Sequence, residues 1–218
     1  MSVKTKIDIL VESVENSLIL MSGESGTAKE EIALRFVEDG LEKGDSILLI
    51  LFAHSSSDYI EMLKQRSSNM EKYLKDGKLN FIDIISFRSL PEEKPSNTIF
   101  LENANDLLSL SIKINEFSEK ISKLRIVVDQ LSLLMLYNSP MHVINFLQTL
   151  AARIRQRKQS ALLILDTGVI EEHIENTLHT IVDMVVECKR TDETPETEQL
   201  VRIKFAKHKY EPRWVKVV

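Results

Sequence analysis

A single thiol, Cys188, in 218 residues excludes an intrachain disulfide and any metal site built from several cysteines. The five histidines lack ligand spacing, with His173 and His179 six positions apart, so no metal site is expected. No Gly-x-Ser-x-Gly elbow is present, and no catalytic nucleophile is expected. Nor does any apolar run approach the ~18–20 residues that cross a bilayer. Met1 to Lys6 is not followed by the uninterrupted apolar stretch expected of a secretory leader. Charge of one sign is not in large excess. With 28 Lys and Arg against 33 Asp and Glu, the net charge of −5 argues against nucleic-acid binding by bulk charge. Repeats, low-complexity tracts and linkers are missing too. Hydrophobic residues make up 43% of the chain, enough to fill a sizeable core. The expectation is one soluble, cytoplasmic domain over residues 1–218, with no membrane segment.

What the chain does have is short apolar runs at intervals. These are Leu18–Met21, Ile47–Phe52, Phe81–Ile85 after a turn at Asp76-Gly77, Leu124–Asp129 and Ala161–Asp166. Continuous runs of this length predict strands buried on both faces, as in a parallel sheet. Between them the apolar spacing is helical: Ile32 to Leu41 with a stop at Gly44, Asn105 to Ile121, and a helix after Pro140 reaching Ile154. Ser55-Ser56-Ser57-Asp58 reads as a capped helix start. Strands are also expected at Ile181–Cys188, Leu200–Lys207 and Trp214–Val218, antiparallel at the sheet's edge, with the polar segment 189–198 as a hairpin tip. The fold class is therefore α/β: a mostly parallel central sheet flanked by helices, with a C-terminal antiparallel hairpin.

The first buried strand leads into Gly23-Glu24-Ser25-Gly26-Thr27-Ala28-Lys29-Glu30. A phosphate-binding loop in this context reads G-x-x-x-x-G-K-[ST]. Gly23 and Lys29 keep their places, but Ala28 replaces the second glycine and Glu30 the hydroxyl residue. A methyl at Ala28 is expected to crowd a loop that wraps its backbone N–H groups around phosphates. Glu30 removes a Mg²⁺ ligand and sets a negative charge beside anionic phosphates. An acid in the first turn does suit the helix dipole, so Glu30 and Glu31 give a helix start that needs no ligand.

Leu18 to Gly44 resembles the KaiC and RadA-like branch of RecA-fold ATPases, whose loop reads G-E-P-G-T-G-K-T and whose following helix ends F-x-x-x-G-x-x-x-G. Phe36, Gly40 and Gly44 stand at the later positions. Ile126 to Ser132 is similar to that family's Walker B strand and the segment after it. Ala161–Asp166 resembles the next core strand, and Val182-Asp183 the start of its late hairpin. The resemblance implies a degenerate nucleotide site formed by Gly23, Gly26, Thr27, Ala28, Lys29, Glu30 and Asp129. In it Lys29 would be the phosphate lysine and Asp129 the acid that positions Mg²⁺ through water. The pair of glutamates that activates water in the family is absent, because Leu51-Phe52-Ala53-His54-Ser55 stands there. Lys207-His208-Lys209 takes the place of a basic motif that projects into a neighbouring subunit's site, so Lys207 and Lys209 are candidate inter-subunit residues.

These readings combine into a KaiC-like pseudo-ATPase: a regulatory or scaffold subunit with weak or no binding of ATP and Mg²⁺. Its expected partners are itself or an active RecA-like relative. One alternative is a slow ATPase of the same fold. Another is a RadA-paralogue-like recombination accessory protein binding single-stranded DNA. For the latter, Arg153, Arg155, Arg157 and Lys158 form a basic cluster, and residues 199–218 carry six Lys or Arg against one Glu. Helix-end stabilisation and subunit contacts account for these charges more simply, so nucleic acid is the less favoured partner.

Overall fold

The apolar runs do form strands. The computed structural model describes residues 16–86, 95–191, 197–207 and 210–217. Within them the first part of the chain forms β1 (Leu18–Gly23), α1 (Lys29–Glu42), β2 (Ser46–Leu51), α2 (Ser56–Arg66), α3 (Met70–Lys75), β3 (Leu79–Asp83), β4 (Thr98–Phe100) and α4 (Leu107–Lys120). There follow β5 (Leu124–Val128), α5 (Leu131–Tyr137), α6 (Pro140–Arg157), β6 (Ser160–Asp166), α7 (Glu172–Ile181), β7 (Met184–Thr191), β8 (Glu198–Ala206) and β9 (Val215–Lys216).

The strands make one nine-stranded sheet in the order β4-β3-β2-β5-β6-β1-β7-β8-β9. Pairings from β4 through β7 are parallel, and β7–β8 and β8–β9 are antiparallel. Successive residues of each strand face opposite sides. Ile19, Met21, Ile47, Leu49 and Leu51 join a core with α1, α2 and α3. Leu18, Leu20, Leu48 and Ile50 join a second core with α4, α5, α6 and α7. Burial on both faces is what fixes the register, since a one-residue slip would exchange the two sets.

The helix boundaries have identifiable causes. Ser55 and Asp58 form a reciprocal capping box at α2. Asp106 accepts from the Ser109 N–H at α4, and Ser139 with Pro140 opens α6. Gly44, at φ +82°, turns the chain out of α1. One boundary differs from the expectation. Ile181 closes α7 rather than opening a strand, and β7 starts at Met184, after Asp183 accepts the Leu18 N–H. The expected hairpin tip falls partly on residues 192–196, outside the described residues.

Candidate functional site

The connections part at the boundary between β1 and its parallel neighbour β6. The helix after β1 packs on one face of the sheet and the helix after β6 on the other. In an open α/β sheet the crevice beyond the strand ends at such a point is where ligands bind. Four strand ends meet here: the loop after β1, residues 52–54 after β2, Asp129 and Gln130 after β5, and Asp166 on β6.

The loop after β1 folds around its own lysine. Lys29 is buried, and its ammonium donates to the carbonyls of Gly23 (2.7 Å) and Glu24 (2.5 Å) and to the Thr27 hydroxyl (3.1 Å). It also pairs with Asp166 Oδ1 at 2.9 Å. An ammonium has three protons, so these four acceptors saturate it. Gln130 Nε2 donates to the other Asp166 oxygen at 2.6 Å, and the Ser132 hydroxyl accepts from the Asp166 N–H at 2.9 Å. Asp166 and Gln130 thus belong to the site, although the sequence did not single them out. Ala28 sits at φ −67°, and its buried side chain belongs to the core cluster that contains Ile32 and Ala33.

Asp129 is deeply buried and serves the neighbouring turn. Its Oδ1 accepts from the Phe52 N–H at 2.6 Å, and its Oδ2 from the Ala53 and His54 N–H groups at 3.1 Å each. The His54 ring lies between two carboxylates, with Nδ1 3.5 Å from Asp129 Oδ2 and Nε2 3.2 Å from Glu30 Oε1. The Asp129 carboxylate raises the His54 pKa above its ordinary 6.5; partial burial opposes this, and Glu30 and Asp58 add to it. The two flanking carboxylates therefore favour the protonated form of His54. Because the folded pKa lies above the unfolded one, the stabilisation from protonated His54 is full below pH 6.5 and is lost as pH rises through the raised value. Urea melts from about pH 5.5 to about pH 8.5 should show wild type exceeding His54→Gln at the acid end, with the difference shrinking towards alkaline pH.

The late strands brace the loop from the other side. A Cβ on Gly23 would lie 2.4 Å from the Cys188 carbonyl oxygen of β7, so that position needs glycine for close approach. Gly26 takes φ +80°, and its carbonyl accepts from Gln199 Nε2 of β8 at 3.2 Å. Cys188 is buried, and burial pushes its thiol up to about 12.

The basic candidates are held by internal partners. Lys207 pairs with Asp183, while Arg202 and Lys204 both pair with Glu187. Lys209 lies outside the described residues. Arg153 donates to Ser111, Arg155 to Asp183 and the Ile181 carbonyl, and Arg157 to Asn115, Ser118 and Glu119. On α1, Glu31 and Glu38 are bridged by Arg66.

A mostly parallel sheet with a loop after its first strand that leads to a lysine opening the first helix, an acid just beyond another core strand and an antiparallel C-terminal hairpin defines the P-loop, RecA-like class. Residues 5–209 match the family profile described as "ATPase: KaiC". The chain belongs to the KaiC ATPase family. It is 26% identical over 122 residues to UPF0273 protein SSO1861 of Saccharolobus solfataricus, a match covering 56% of this chain and 43% of that protein. The chain thus spans less than half the length of that relative. The crystal structure of the KaiC-like protein PH0186 from Pyrococcus horikoshii superposes with a TM-score of 0.68 at 16% identity, over 93% of this chain and 85% of that one. That likeness shows the shared fold. No described helix is long and apolar enough to cross a membrane.

Proposed function

We propose that this chain is a pseudo-ATPase of the KaiC family, acting as a regulatory or scaffold subunit that works by assembly. The observation that carries this reading is the Lys29 ammonium, saturated by its own loop and Asp166. The donor set does not fit a magnesium–nucleotide complex. Both oxygens of Asp129 already accept from residues 52–54, Glu30 occupies the position of a metal-binding hydroxyl, and the His54 ring stands between these two carboxylates. A bound nucleotide would have to displace Asp166 from Lys29, and its phosphates would meet the Glu30 carboxylate, which is unfavourable electrostatically. No carboxylate follows β2 to activate water, since Ala53 and His54 stand there.

The internal partners of Arg153, Arg155 and Arg157 give the single-stranded DNA reading no support. The same holds for assembly through Lys207. Phosphate release measured with Mg²⁺ and ATP should be no faster for wild type than for Lys29→Ala. Turnover that disappears with Lys29→Ala would instead establish the slow-ATPase reading.

A further inference from the structure

Gln130 to Ala152 is a run of 23 residues without a single Asp, Glu, Lys or Arg. It forms α5 and most of α6. Leu131 and Leu134 are fully buried and anchor α5 in the core. Its far end is not buried: Leu136 is 70% and Tyr137 55% exposed, and Met141 in the first turn of α6 is 63% exposed. Isolated exposed apolar residues are ordinary, but three within six positions at one corner form a patch.

Three concavities ring this corner. The first, about 450 Å³, is lined by Ile84, Ile85, Leu133 and Tyr137 with Glu102. The second, about 410 Å³, has Leu107, Leu108, Phe146 and His142 with Asp106. The third, about 220 Å³, has Met135, Leu136, Pro140 and Val169 with Glu171. Among the described residues, each concavity carries one carboxylate, and no Lys or Arg lines any of them. The corner is also held in place. Asn138 Nδ2 donates to the Ala104 and Leu134 carbonyls at 3.0 Å each, and Ser139 caps α6. A partner would therefore meet a surface that needs little ordering.

We infer that the α5–α6 corner is a docking surface for a basic amphipathic segment of a partner protein, its apolar residues seated in the concavities and its cations on Glu102, Asp106 and Glu171. An amphipathic helix offers apolar anchors at i, i+3 and i+4 to such hollows, and the acidic rim selects the charge. The same rim disfavours other occupants. Two copies joined through this face would set carboxylate against carboxylate. On the basic β7–β8–β9 side of a second copy, Arg202, Lys204, Lys207 and Lys216 are already paired with Glu187, Asp183 and Glu198. Anionic lipid and nucleic acid are repelled by the rim. This inference does not depend on whether the nucleotide site is active.

The test uses the full chain and a fluorescein-labelled Leu/Lys amphipathic peptide of about 14 residues, long enough for several helical turns. A Leu/Glu peptide of equal length is the control. Fluorescence anisotropy should show binding of the Leu/Lys peptide only. Leu136→Ser with Met141→Ser should weaken it on the order of tenfold, as should Glu102→Lys with Glu171→Lys. These side chains are exposed, so melting temperatures should stay at the wild-type value. A photo-cross-linker on the peptide should map to residues 131–141. No binding, equal binding to both variants, or cross-links elsewhere would overturn the inference. So would a dimer in sedimentation that the Ser pair dissolves, or sedimentation with anionic phosphatidylserine vesicles that the Ser pair abolishes.

Discussion

Asp129→Ala is expected to lower the unfolding free energy by about 3 kcal/mol, a large fraction of a typical domain's stability. The carboxylate accepts three backbone N–H bonds from residues 52–54, and the 2.6 Å bond to Phe52 is buried. Hydrogen bonds to a charged group contribute roughly 1.5–3 kcal/mol each, and the Phe52 donor would be left unpaired. The His54 ring would also lose a partner at 3.5 Å. Asp129→Asn should fall between wild type and alanine, because its amide keeps one acceptor but turns an NH₂ towards the turn. Urea unfolding followed by circular dichroism measures both. An acid whose main role is to position a metal through water would give a different pattern, with stability within about 0.5 kcal/mol of wild type or higher.

Gly23→Ala should cost a similar amount, about 3 kcal/mol, at the upper end of overpacking effects. The added methyl would lie 2.4 Å from the Cys188 carbonyl oxygen and 2.9 Å from Thr27 Oγ1. The first of these is backbone of a strand paired to β1 on one side and β8 on the other, so it yields only if the sheet shifts. Gly44→Ala is the control. Its φ of +82° imposes strain, but nothing stands within 4 Å of the new methyl, so the expected loss is only about 1 kcal/mol. The contrast separates close packing from backbone conformation. It also gives the first loop glycine a role that needs no phosphate.

The strands were legible because each of the five runs is buried on both sides, leaving no polar face to obscure it. Elements the sequence did not announce are those whose apolar signal is short or lopsided. β4 has three half-buried residues. α5 reads LSLLMLY, apolar on every side and only seven residues long, with no period to detect. α7 buries only Leu178 and Ile181 of its ten residues, so its N-terminal half looks like loop and its last residue like a strand start.

In the site, Gly23, Lys29 and Asp129 were legible as a motif. His54, Gln130 and Asp166 were not, because they come from the ends of three strands and meet Lys29, Glu30 and Asp129 only once the sheet is assembled. Ala28 stands where the motif has glycine, and its contact with the apolar core was not legible from the motif.

In the proposed pseudo-ATPase, Lys29 is held by its own loop and by Asp166 rather than by a phosphate. Calorimetric titration of the full chain with ATP and Mg²⁺, beside Lys29→Ala, tests it most directly. No saturable binding tighter than about 1 mM is expected for either protein. Micromolar, Mg²⁺-dependent binding to wild type that Lys29→Ala abolishes would contradict it.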